Sequence, residues 1–141
     1  MTDPLLDGET GVYSRAAWDR LADAEISRAR RYGDPLTLAL IKLQPSDMES
    51  PENFRETFGK LAKHLSERCR HEDIVGRFSE DVLSILAVTL NGDSNVLVGA
   101  FEEACDGFNV VVVGASHQLT RPFAATLREA EAALTAANRK G

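Results

Sequence analysis

Apolar positions along the chain change their period several times, and each change marks an element. After an acidic lead-in over residues 1–13, Trp18, Leu21, Ala22, Ile26 and Ala29 fall on one helical stripe. The spacing predicts a helix that Ser14 caps, running to about Arg31, where Tyr32-Gly33-Asp34-Pro35 stops it. Leu36 to Leu43 is apolar except for Thr37 and Lys42 and reads as a mostly buried strand. A proline-containing loop over 44–52 leads to a second helix reaching Cys69, with Phe54, Phe58, Leu61, Ala62 and Leu65 on its apolar face.

Short strands follow at Asp73 to Phe78 and at Val82 to Leu90, joined by the tight connection Ser79-Glu80-Asp81. Asn91-Gly92-Asp93-Ser94 is a turn, and the helix behind it is expected to bury Val96, Leu97, Ala100, Phe101 and Ala104. Asn109 to Ala115 carries a run of valines and is the most strand-like segment. Pro122 opens a last helix, with Leu127, Ala130, Leu134 and Ala137 at three-to-four spacing. Without the leading and closing helices the order is βαββαβ, the ferredoxin-like α+β pattern. It places helices on one face of a four-stranded antiparallel sheet, with spatial order 4-1-3-2 from right-handed crossovers. The end of strand 1 (Lys42, Gln44) then lies beside the strand 2–3 turn.

Composition narrows the function. The 141 residues carry 16 Lys+Arg against 22 Asp+Glu, a formal charge of −6. One domain fits this length, and the acidity argues against a nucleic-acid partner. Two cysteines, neither in a Cys-x-x-Cys pair, exclude a zinc knuckle or a disulfide framework. No apolar run is long enough for membrane insertion, and no basic leader precedes Pro4, so the expected location is cytoplasmic.

The chemistry-bearing residues are sparse. Strand 1 ends on Lys42-Leu43-Gln44, an ammonium and an amide, where a metal-dependent phosphoryl enzyme needs converging carboxylates. Glu80 and Asp81 are adjacent in a tight turn and diverge, so no metal is expected. Of the three histidines, His64, His71 and His117, none has metal-ligand spacing, and two are expected on solvated surface. Arg70 and Asp73 lie three apart at a helix–strand junction, with Arg77 four further on. An arginine fork and a carboxylate suit a guanine nucleotide, although a late arginine also suits any helix C-terminus.

In order and at near-family spacing, several segments resemble a GGDEF domain, the diguanylate cyclase fold. Asp7-Gly-Glu-Thr10-Gly11-Val12-Tyr13-Ser14-Arg15 is similar to the family's opening Asp-x-Leu-Thr-Gly-Leu-x-Asn-Arg. Arg30-Arg31-Tyr32-Gly33-x-Pro35-Leu36 resembles the approach to strand 1. Arg77-Phe78-Ser79-Glu80-Asp81-Val82-Leu83 takes the place of Arg-Tyr-Gly-Gly-Asp-Glu-Phe. Val111 to Ala115 and Leu127 to Gly141 resemble the late strand and the closing helix.

The resemblance implies a degenerate member. Lys42 and Gln44 stand at positions of metal-binding aspartates, Ser79 and Glu80 replace both signature glycines, and Val82 replaces the central acid. Asn138 replaces the phosphate-binding lysine, and Gln44 to Gly59 is too short for the family's Phe-Lys-x-x-Asn-Asp and Gly-His-x-x-Gly-Asp segments. Residues 115–122 also lack part of the late hairpin. The expectation is no enzyme activity and no cofactor. Arg70-x-x-Asp73 matches the family's inhibitory site in type and offset, which implies a cyclic-di-GMP receptor site, with Arg77 or a second copy's arginine completing it.

Three functions follow as expectations for a domain of a larger bacterial signalling protein. One is regulatory protein interaction with other domains or pathway proteins, or homodimerisation. The second is cyclic-di-GMP reception, and the third is GTP binding without turnover.

Overall fold

The computed structural model describes residues 5–46, 49–88 and 93–140. Its elements run α1 (Arg15–Tyr32), β1 (Leu36–Leu43), α2 (Pro51–Arg68), β2 (Ile74–Arg77), β3 (Val82–Val88), α3 (Ser94–Ala104), β4 (Val110–His117) and α4 (Phe123–Lys140). The strands form one antiparallel sheet in the order β2-β3-β1-β4, as the sequence predicts. Residues 1–4 of the lead-in, Thr89 to Gly92 of the expected third strand and turn, and Gly141 lie outside the described residues.

Local chemistry sets the boundaries. The Ser14 hydroxyl accepts from the Ala17 N–H at the start of α1, and Gly33 closes it at φ 75°, where a Cβ would be strained. Ser50 caps α2 by accepting from Asn53, with Pro51 in the first turn.

Helices cover both faces of the sheet, not one. The ferredoxin-like pair α2 and α3 packs on Ala39, Ile41, Leu43, Val75, Leu83 and Ile85. The added helices α1 and α4 cover Leu36, Leu38, Leu40, Val82 and Leu86 on the other side. This is why β1 is apolar on successive residues: both of its faces are core. Gly76 admits the α1 layer, since a Cβ there would stand 2.5 Å from Trp18 Cδ1. The Trp18 indole N–H donates to the Ile74 carbonyl at 2.9 Å.

Two predicted stripes need correction. Leu21 is 37% exposed on α1, and Val96 is 66% exposed on α3 with Ala100 also in solvent. The face of α3 that packs is Leu97, Val98 and Phe101, continued by Cys105. Gly114 explains the register, because a Cβ there would lie 2.8 Å from Val98 Cγ2.

Candidate functional site

Two concave regions lie at opposite ends of α2. The larger, an open cleft of about 810 Å³, is bounded by the lead-in, the start of α2 and the β2–β3 turn. Backbone pairing builds it. The Phe78 and Ser79 N–H groups donate to the Val82 carbonyl, and Leu43 N–H donates to the Asp81 carbonyl, drawing the turn against the end of β1. The lead-in is a small hairpin, with a Leu6–Tyr13 bridge and a Tyr13–Gly76 bridge joining it to β2.

Arg77 organises the cleft. Its Nη1 donates to Glu9 Oε1 at 2.7 Å and to Asp7 Oδ2 at 3.1 Å. Nε and Nη2 donate to the carbonyls of Ser79 and Glu80, and the guanidinium lies 4.9 Å from the Phe58 ring centroid. Burial works against the Asp7 carboxylate, but hydrogen bonds from Thr10 and the Arg77 charge outweigh it and hold its pKa below the ordinary value. Burial likewise opposes the Arg77 charge, and Glu9 and Asp7 more than restore it, raising its pKa. Arg55 reaches Glu9 from α2 at 3.7 Å, and Arg15 lies over the Phe78 ring at 4.0 Å while pairing with Asp19.

Lys42 and Gln44 stand behind this cleft. The Lys42 ammonium is 3.8 Å from Asp81 Oδ2, and the Ser79 hydroxyl donates to the other Asp81 oxygen at 3.1 Å. The Gln44 amide N–H donates to Asn138 Oδ1 at 3.0 Å. Glu80 is exposed, whereas Val82 and Leu83 are buried in opposite core layers. Among the described residues, no group of three or more His, Cys, Asp or Glu is arranged to hold a metal ion.

The smaller recess, about 530 Å³, lies at the far end of α2 and is lined by Ser66, Cys69, Arg70, His71 and Asp73 with the lead-in's Tyr13. Asp73 Oδ2 accepts the Arg70 backbone N–H at 2.9 Å, while Oδ1 is buried without a hydrogen-bond partner among the described residues. Burial raises the Asp73 pKa, and the Arg70 contacts only partly offset it. The Arg70 side chain is 57% exposed, lies 3.9 Å from Asp73 and 3.8 Å from Glu72, and donates to the Val88 carbonyl. Burial also pushes the neighbouring Cys69 thiol up to about 12, so it is not a thiolate nucleophile.

The structure thus brings Arg70 and Asp73 together and places Arg77 elsewhere. Asp73 and Arg77 are four residues apart along extended chain, roughly 13 Å. Arg77 is spent on the lead-in. A second correction concerns the histidines. His71 alone is exposed; His64 is half-buried against Phe108, and His117 is buried with Nδ1 2.7 Å from the Thr126 hydroxyl. Asp7, Glu9 and Arg55 carry much of the cleft's charge, although the sequence assigns none of them a site role. The first two lie in the acidic opening run, which was a signal; Arg55 offers none.

No helix among the described residues is long and apolar enough to cross a membrane. No family model matches the chain. It is 25% identical over 123 residues to the probable diguanylate cyclase DgcC of Escherichia coli K12, covering 81% of this chain. The chain spans about a third, 31%, of that relative's length. The GGDEF domain of DgcB from Caulobacter crescentus, solved with c-di-GMP, superposes with a TM-score of 0.89 at 17% identity, over 100% of this chain and 91% of that one. The FimX GGDEF domain from Pseudomonas aeruginosa gives 0.82 at 20% identity, over 97% and 95%. Diguanylate cyclase SiaD from Pseudomonas aeruginosa, solved with its activator SiaC, gives 0.83 at 20% identity, over 97% and 59%. From the lead-in hairpin to α4 the chain has the fold of these GGDEF domains.

Proposed function

We propose that this is a catalytically inactive GGDEF-like domain that acts in signalling through regulatory protein interaction or dimerisation. One observation carries the reading: at the end of β1 the Lys42 ammonium is 3.8 Å from the Asp81 carboxylate. Where the resemblance puts a metal-ligating aspartate, the chain supplies a cation of its own, and a divalent ion beside it would be repelled. The Gln44–Asn138 amide pair supports the same reading, since it joins a second metal position to a phosphate-binding position with no charge on either. A triphosphate would also meet a cleft whose arginines are already matched by carboxylates. Incubating the chain with GTP and magnesium should yield no cyclic-di-GMP and no pyrophosphate; product formation above a protein-free control overturns the reading. Light scattering should give a mass above the monomer, alone or with other domains of the parent protein.

The Asp73 oxygen that lacks a hydrogen bond, with only the Arg70 guanidinium 3.9 Å away, favours a second reading, reception of cyclic-di-GMP at Arg70 and Asp73. A buried carboxylate oxygen without a donor suits the N1–H and N2–H donors of guanine, and the exposed Arg70 fork suits its acceptor edge or a phosphate. The DgcB domain with c-di-GMP bound is similar across the whole of this chain. Calorimetry with cyclic-di-GMP should show saturable heat that Arg70→Ala removes. A folded, ligand-free sample giving none would sink this reading while leaving the first intact.

A further inference from the structure

The end of β4 carries a histidine whose surroundings suit only its neutral form. His117 is 5% exposed, and its ring meets Phe123 of α4 edge to face at 5.4 Å. Nδ1 lies 2.7 Å from the hydroxyl of Thr126, which is fully buried. Nε2 is buried with no hydrogen-bond partner among the described residues. A protonated ring carries an N–H on both nitrogens, so its Nε2 donor and its charge would be buried together with no acceptor.

The charges around the ring add to that cost. Arg30, in the last turn of α1, donates to the Leu119 carbonyl just past β4 at 3.2 Å, and Arg121 stands on the β4–α4 connection. Burial, and then the repulsion of Arg30 and Arg121, hold the His117 pKa below its ordinary 6.5. The flanking carboxylates serve other cations: Asp34, ahead of β1, pairs with Arg28 at 2.7 Å, and Glu129 of α4 is 3.9 Å from Arg121. From β1 the residue opposite His117 is the apolar Leu36.

What the ring holds is the start of α4. Phe123 and Thr126 belong to its first turns, and Phe123 lies 6.1 Å from Trp18 of α1. The far end of α4 is tied separately, through the Gln44–Asn138 amide pair. Displacing His117 therefore opens one end of the apolar layer that α1 and α4 share with the sheet.

We propose that His117 is an acid-sensitive latch: taking up a second ring proton expels the imidazole from Phe123 and Thr126 and lifts the first turns of α4 off the sheet. The stability it contributes is complete above the unfolded value of 6.5 and is lost as pH falls through the lower folded value. The latch rests on neither function proposed above, since both concern the two ends of α2.

Trp18 is the single tryptophan and is fully buried, so its quenching by acrylamide reads the opening. Between about pH 7.5 and about pH 5 the quenching constant of the wild-type chain should rise several-fold and reversibly, with most of the helical circular dichroism retained. In His117→Asn, which keeps a polar partner for Thr126 but does not titrate, it should stay flat. A wild-type constant that does not move, a rise that persists in His117→Asn, or loss of the whole helical signal in the same step overturns the proposal. Should His117→Asn not fold, the wild-type His117 ring C–H resonances, identified by their proximity to Phe123, carry the test. They should titrate together with the quenching change, and quenching that changes at a different pH overturns the proposal.

Discussion

Two carboxylates mark the difference between the ends of α2. Asp7, in the cleft, accepts from Thr10 and Arg77 and has its pKa lowered despite partial burial. Asp73, in the recess, has one oxygen satisfied by a backbone N–H, the other orphaned, and its pKa raised by burial. The cleft has settled its charges internally. The recess leaves one buried Asp73 oxygen without a hydrogen bond, with only the long 3.9 Å contact of the exposed Arg70 guanidinium. An interior built for stability alone satisfies its polar atoms, so the cleft is consolidated structure and the recess is the end of α2 to which the proposed cyclic-di-GMP reading belongs.

Removing Arg77 should have the largest effect, because it breaks the consolidated side at its centre. The side chain is 13% exposed and serves two carboxylates, two carbonyls and the Phe58 face. Arg77→Ala should cost about 3 kcal/mol, the range for stranding partly buried charges, read as a lower urea midpoint. A loss below about 1 kcal/mol would mean that the cleft's ion pairs are surface pairs and the contrast with the recess is false.

How much of this was legible in the sequence follows from what each element depends on. β1 was read to the residue because both of its faces are core, leaving an unbroken apolar run. Ser14 and Gly33 fixed α1 by local chemistry alone. The packed face of α3 is ambiguous in the sequence because consecutive apolar residues from Val96 to Val98 fit two helical faces equally well. The decision lay in Gly114, on another strand, whose missing side chain admits Val98. At the site, Arg70 and Asp73 were found because three residues of separation at a helix end is local information. Sequence proximity alone groups Arg77 with them. Its actual partners are 70 and 68 positions away, a pairing that only the docked lead-in creates.

Opposite pKa shifts give the comparison a pH signature. Asp7 is lowered in the fold, so its contribution to stability is complete above the unfolded value near 3.8 and is lost as pH falls through the lower folded value. Asp73 is raised, so its contribution is complete below 3.8 and is lost as pH rises through the higher folded value. At pH 7, Asp7→Asn should therefore lower the unfolding free energy read from urea titration by about 1–2 kcal/mol, with the gap to wild type closing below pH 3.8. Asp73→Asn should leave stability equal or raise it by less than about 1 kcal/mol at pH 7, because Asn keeps an acceptor for the Arg70 N–H and removes a buried charge. If both variants lose stability alike, the two ends of α2 are equivalent and the recess is as structural as the cleft.

Arg70→Ala should be the quietest change in stability and is the sharpest test of the recess. Its side chain is 57% exposed and its carboxylate contacts, at 3.8 and 3.9 Å, are long. The donation to the Val88 carbonyl adds one bond at a solvated strand end, while the backbone N–H that satisfies Asp73 does not depend on the side chain. The unfolding free energy read from urea titration should move by no more than about 0.5 kcal/mol, as for other exposed ion pairs. A loss of 2 kcal/mol would show that Arg70 holds the junction of α2 and β2 together, and its exposure would then no longer mark a residue reserved for a ligand. A shift within 0.5 kcal/mol, with Arg77→Ala costing several times more, would mean that one arginine braces the fold and the other stands free to bind.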